Sequence, residues 1–112
     1  MTTREEWLAL AERCAKAEGP SIGLELDIGD AAGVSTSLAT PYTASLDAIT
    51  GLVRGTFRVY SICDYGDGGS YATIIRQPFH PINSQKCKSP ALALCEAFCR
   101  AMAEKAGARG RD

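Results

Sequence analysis

Only one histidine, His80, stands among the 112 residues, and the five cysteines form no Cys-x-x-Cys pair. The first shortage leaves a single imidazole to serve as a base near neutral pH. The second removes the usual zinc knuckle. An excess of one charge is also missing, because 12 basic residues face 13 acidic ones for a net charge of -1. That balance argues against a broad basic face for phosphate backbones. No apolar run is long enough to cross a membrane, and the opening Met-Thr-Thr-Arg-Glu-Glu-Trp puts acids where a signal peptide needs a basic start. The cysteine number is odd and the spacing is no framework, which suits burial in a reducing compartment better than bridging. These absences predict a soluble protein of a reducing cytoplasm with no membrane partner. A chain of this length fits one domain around one core.

What is present is helix and strand patterning. Ser89-Pro-Ala-Leu-Ala-Leu-Cys-Glu-Ala-Phe-Cys-Arg-Ala-Met-Ala opens on a capping serine and a first-turn proline, then continues as a run of small and apolar residues. It predicts a packed helix. Thr3 and Glu6 stand at capping-box spacing, and Trp7, Leu10, Ala11, Cys14 and Ala15 share one helical face, with Gly19 and Pro20 as the stop. Ser21 follows Pro20 as a cap would, while Leu24, Leu26 and Ile28 alternate as in a strand; a short helix is the favoured reading. Residues 29 to 41 are mostly Gly, Ala, Ser and Thr and predict a connecting loop. Ser45 caps a further short helix through Leu46, Ile49, Leu52 and Val53.

From Thr56 to Cys63 the period changes to two, with Phe57, Val59 and Ser61 alternating with Arg58, Tyr60 and Ile62. Asp64-Tyr-Gly-Asp-Gly-Gly has turn composition, and residues 70 to 77 resume β-rich composition, so the two segments predict a hairpin. A hairpin alone is marginal in water, so a third strand from residues 22 to 28 or 79 to 83 is expected, with helix cover. The tail beyond Gly107 is polar and expected to be disordered. The sum is an α+β domain: a small antiparallel sheet covered by helices on both faces, in the manner of an α/β/α sandwich.

The segment Pro-Tyr-Thr-Ala-Ser-Leu-Asp-Ala-Ile-Thr-Gly-Leu-Val, residues 41 to 53, precedes the hairpin, and Ser-Pro-Ala-Leu-Ala-Leu-Cys, residues 89 to 95, follows it. With Glu-Gly-Pro-Ser at 18 to 21 and Glu-Leu-Asp at 25 to 27 upstream, the chain resembles the phage ABA sandwich domain family from Glu18 to Ala103. It differs in the longer loop from Gln77 to Lys88 and in Phe98 and Cys99. The resemblance implies a phage or prophage origin and a layered α/β architecture, and it brings no catalytic residue, cofactor or metal ligand with it.

Candidate chemistry is sparse. His80, Cys87, Cys95 and Cys99 are zinc-type ligands, but Leu92, Phe98 and Met102 surround the helical pair with apolar neighbours, which favours a core face. A thiol nucleophile at Cys63 or Cys87 needs His80 brought beside it, and no nucleophile motif accompanies any of the three. Asp64 and Asp67 lack the closing glutamate of a calcium loop. No metal, cofactor or catalytic residue is therefore assigned, and the protein is expected not to be an enzyme. Tyr65 and Tyr71 beside the turn, Phe79 and His80 in the following loop, and Arg58 and Arg76 on the strands are the residues assigned to partner contact. Tyr42 is a further loop aromatic suited to it. A protein partner leads, with inhibition of a host defence or regulatory complex as one use. A nucleic-acid module, with arginines and tyrosines on a sheet face, is the alternative, and an unrecognised enzyme the next. An open sheet edge would suit a homodimer.

Overall fold

The computed structural model describes residues 3–19, 21–33, 42–65, 69–76, 80–84 and 86–109. Their order is α1 (Arg4–Lys16), α2 (Ile22–Ala32), α3 (Leu46–Arg54), β1 (Arg58–Tyr65), β2 (Gly69–Arg76), β3 (His80–Asn83) and α4 (Pro90–Arg109). Each helix begins where a hydroxyl side chain can take over an unpaired first-turn amide. Thr3 accepts from Glu6 N at 3.2 Å, Ser21 from Leu24 N at 3.3 Å, Ser45 from Ala48 N at 3.3 Å and Ser89 from Leu92 N at 3.2 Å.

α2 settles the ambiguity between Ser21 and Ile28. Leu24 and Ile28, one turn apart, are buried, whereas Leu26 between them is 43% exposed. Helical rather than alternating periodicity decides which side chains go inward. The helix also continues through Gly29 into residues expected to form a loop, because the left-handed conformation of Gly33, φ 78°, supplies its end. The rest of that loop, residues 34 to 41, lies outside the described residues. α4 likewise reaches Arg109, past the Gly107 at which the polar tail was expected to begin.

The sheet is antiparallel with order β1-β2-β3. β3 comes from the segment after Pro78, and Pro81 is tolerated there because β3 lies at the edge and has a partner on one side only. β1 carries an irregularity: Val59 pairs with Ile74 and Ser61 with Thr73, so Tyr60 is an extra residue without an opposite number. The bulge corrects the expected alternation. It resets the phase so that Ile62 falls opposite Ala72 and Cys63 opposite Tyr71.

α4 lies at the centre. Leu92, Ala93, Leu94, Cys95, Ala97, Cys99 and Ala101 are wholly buried, and α4 packs on α1, α3 and all three strands. Its alanines let the neighbouring backbones approach closely, and Trp7 and Phe98 meet edge to face at 5.7 Å. On the sheet, Ser70, Ala72, Ile74, Ile82 and Ser84 are buried beneath the helices. The α+β architecture expected from the sequence is present, with helices packed against an antiparallel sheet. Among the described residues, however, their cover lies on the face of Ser70, Ala72 and Ile74 and does not extend over the other face as expected. Cys63, Tyr71, Pro81 and Asn83, at alternate strand positions, are exposed to solvent.

Candidate functional site

The exposed side of the sheet is built by the hairpin register. Cys63 and Tyr71 stand opposite one another, and Ser61 and Thr73 follow on the same pair of strands. Beyond them Thr73 pairs with Asn83, its hydroxyl donating to Asn83 Oδ1 at 2.7 Å. This places a phenol on the central strand, 39% exposed, between a thiol and a hydroxyl–amide pair. The surface is amphipathic and suited to contact. It carries no base beside the Cys63 thiol among the residues whose side chains are described.

The residues assigned to partner contact fall as follows. Tyr71 is exposed on β2, so alternation does not bury it. Tyr65 closes β1 opposite Gly69. Phe79 lies outside the described residues. His80 opens β3 opposite Arg76 and is therefore a strand residue and not part of a loop. Arg58 opens β1 opposite Ile75, a strand position of the same parity as Tyr71, while Arg76 follows Ile75 and takes the parity of Ala72 and Ile74. The two arginine positions thus belong to opposite faces of the ladder. Tyr42, expected at a contact surface, is buried at 4% exposure, and its carbonyl accepts from Cys95 Sγ at 3.2 Å.

The cysteines separate by environment. Cys63 is exposed, the other four are buried, and none of the five is in a disulfide. Cys95 and Cys99 on α4 meet Cys14 on α1, a grouping the sequence does not announce because Cys14 is far from both along the chain. Cys14 is lowered to about 5 because the Cys95 and Cys99 thiols beside it favour its thiolate, and Arg13 adds to this against the cost of burial. Cys95 and Cys99 are raised well above the ordinary thiol range, by burial first and then by their contact with Cys14. Cys87 is pushed up to about 12, by burial and then by the Glu96 carboxylate. It bridges to Ser70 through two backbone hydrogen bonds of 2.9 Å. Among the described residues no group of three or more His, Cys, Asp or Glu is arranged to hold a metal ion.

Two buried carboxylates complete the polar interior. Glu25, 5% exposed, accepts from both the amide and the hydroxyl of Thr43, at 3.1 and 2.6 Å, and Ser21 N donates to the same hydroxyl at 2.9 Å. The trio ties the start of α2 to the turn before α3. Glu96, wholly buried on α4, accepts from Arg100 Nε at 2.5 Å. Neither carboxylate was singled out from the sequence, since each pattern of polar residues is ordinary until the fold buries it. Among the described residues no helix is long and apolar enough to cross a membrane.

No family model, curated protein or solved structure matches this chain significantly.

Proposed function

We propose that the chain is a small accessory protein, encoded by a phage or prophage, that acts by binding a host or phage protein through the exposed side of its sheet. The carrying observation is Tyr71, an exposed phenol on the central strand flanked by Cys63 and by the Thr73–Asn83 hydrogen-bonded pair. A tyrosine presents much apolar area with a polar tip and little rotamer entropy to lose, which is why such residues anchor interfaces. The strands beneath it are backed by α4, so the surface is held rigid before contact. Occlusion of a partner's working surface is a role such a rigid face suits, as in an inhibitor of a host complex.

Purification of the tagged protein from a bacterial host lysate, with and without nuclease, tests the reading. A stoichiometric partner that survives nuclease and is lost with Tyr71→Ala supports it. Loss of all co-purifying material on nuclease treatment would put nucleic acid in its place. A protein partner retained at full strength by Tyr71→Ala would remove this face from the interface.

A further inference from the structure

A second surface is built where the start of α1, the edge strand β3 and the middle of α4 come together. They enclose an open cleft of about 410 Å³ whose walls include Arg4, Leu8, Ile82, Asn83, Arg100 and Glu104. Arg100 is the best-defined group in it. Its Nε is held at 2.5 Å by Glu96, which is wholly buried, while 28% of the arginine side chain remains exposed. Its terminal Nη groups have no further partner among the described residues. An arginine steered by a buried carboxylate pays little additional entropy when those groups bind an anion.

Arg4 enters from the exposed first turn of α1 and also has no ion-pair partner among the described residues. Asn83 uses its Oδ1 to accept from Thr73, which leaves its amide NH₂ to donate. Leu8 and Ile82 supply apolar surface beside these donors. The cleft walls carry two guanidinium groups and one carboxylate, Glu104, a surplus of one positive charge that suits a singly charged anion better than a doubly charged one.

We propose that this cleft binds a monocarboxylate with an apolar body, its carboxylate received by Arg100 and Arg4 and its body lying against Leu8 and Ile82. The carboxylate can belong to a free organic acid or to the C-terminus of a peptide, since both present the same planar group. This site is separate from the Tyr71 face and stands or falls independently of it.

The test is titration of the ¹⁵N-labelled full chain with hexanoate and with N-acetyl-L-leucine, followed by amide NMR. Hexanol and inorganic phosphate serve as controls. Saturable shifts at Leu8, Ile82, Asn83 and Arg100 with either acid support the proposal. Tighter binding of hexanoate identifies a free acid as the preferred source, and tighter binding of N-acetyl-L-leucine a peptide terminus. Arg4→Gln, at an exposed position, should weaken the acid by about tenfold, the loss of one charge-assisted contact. Arg100→Gln should weaken it at least as much, and because that variant also removes the ion pair of the buried Glu96, Arg4→Gln is the deciding one. Absence of saturable shifts with both acids, equal binding of hexanol or phosphate, or unchanged affinity in Arg4→Gln would overturn the proposal.

Discussion

The hydroxyl of Thr43 donates to the Glu25 carboxylate at 2.6 Å, and both side chains are nearly or wholly withdrawn from water. The pair joins residues 18 positions apart and fixes the turn before α3 against α2. A buried carboxylate deprived of a donor bears the full cost of its lost hydration. Thr43→Val, which preserves shape and removes the hydroxyl, is expected to destabilise the protein by about 2–3 kcal/mol. Urea denaturation followed by circular dichroism measures it. A change within about 0.5 kcal/mol, the scale of ordinary surface substitutions, would mean that water replaces the hydroxyl.

Ser84 has an equivalent role at the sheet edge. Its Oγ accepts from Ala72 N at 2.9 Å, and its own N donates to Ala72 O at 2.8 Å. Ser84→Ala leaves the second bond and orphans the Ala72 amide, for an expected loss of about 1–3 kcal/mol. Hydrogen exchange gives a local readout, since the Ala72 amide should lose protection while those at the centre of α4 keep theirs.

Phe98 meets Trp7 at 5.7 Å and Phe57 at 6.2 Å, both edge to face. Phe98→Ala is expected to cost about 3–5 kcal/mol, because it opens a cavity where α1, α4 and the start of the sheet converge. Trp7 is the only tryptophan, so its fluorescence follows the same transition. A two-state curve with a lower midpoint and an unchanged slope is the expected form.

The thiol group predicts a pH dependence of two parts. Cys14 is lowered from 9.0 to about 5, so the unfolded chain holds the proton between those values and the folded chain does not. The stability linked to Cys14 is therefore complete above pH 9 and is lost as pH falls through about 5. Cys87 moves the other way, to about 12, so its contribution is present below pH 9 and is lost as pH rises toward 12. In a Cys63→Ala background, ultraviolet thiolate absorbance should show one thiolate at neutral pH that disappears in Cys14→Ala. Absence of that band at pH 7 would assign a protonated thiol to all three members of the group.

The parts of this protein legible in its sequence are those governed by neighbours within a few residues. Thr3, Ser21, Ser45 and Ser89 mark the helix starts because a cap is satisfied by an amide three positions away. The hairpin was legible for the same reason: alternating residues around a glycine-rich turn already imply their pairing. Tyr71 was visible as a contact candidate, but its exposure depended on which face α4 covers.

Tertiary structure decided what distance along the chain conceals. Tyr60 as the bulged residue follows from fitting β1 to β2, and the extra residue shifts every later position of β1. The grouping of Cys14 with Cys95 and Cys99, and of Arg4 with Arg100, exists only because α1 lies along α4. Glu25 and Glu96 look like any surface acids in sequence, since solvation depends on what the fold places around them and not on what precedes or follows them. Local hydrogen bonding wrote the elements into the chain, whereas burial and charge proximity, which add over all neighbours in space, made the surfaces and the buried polar groups.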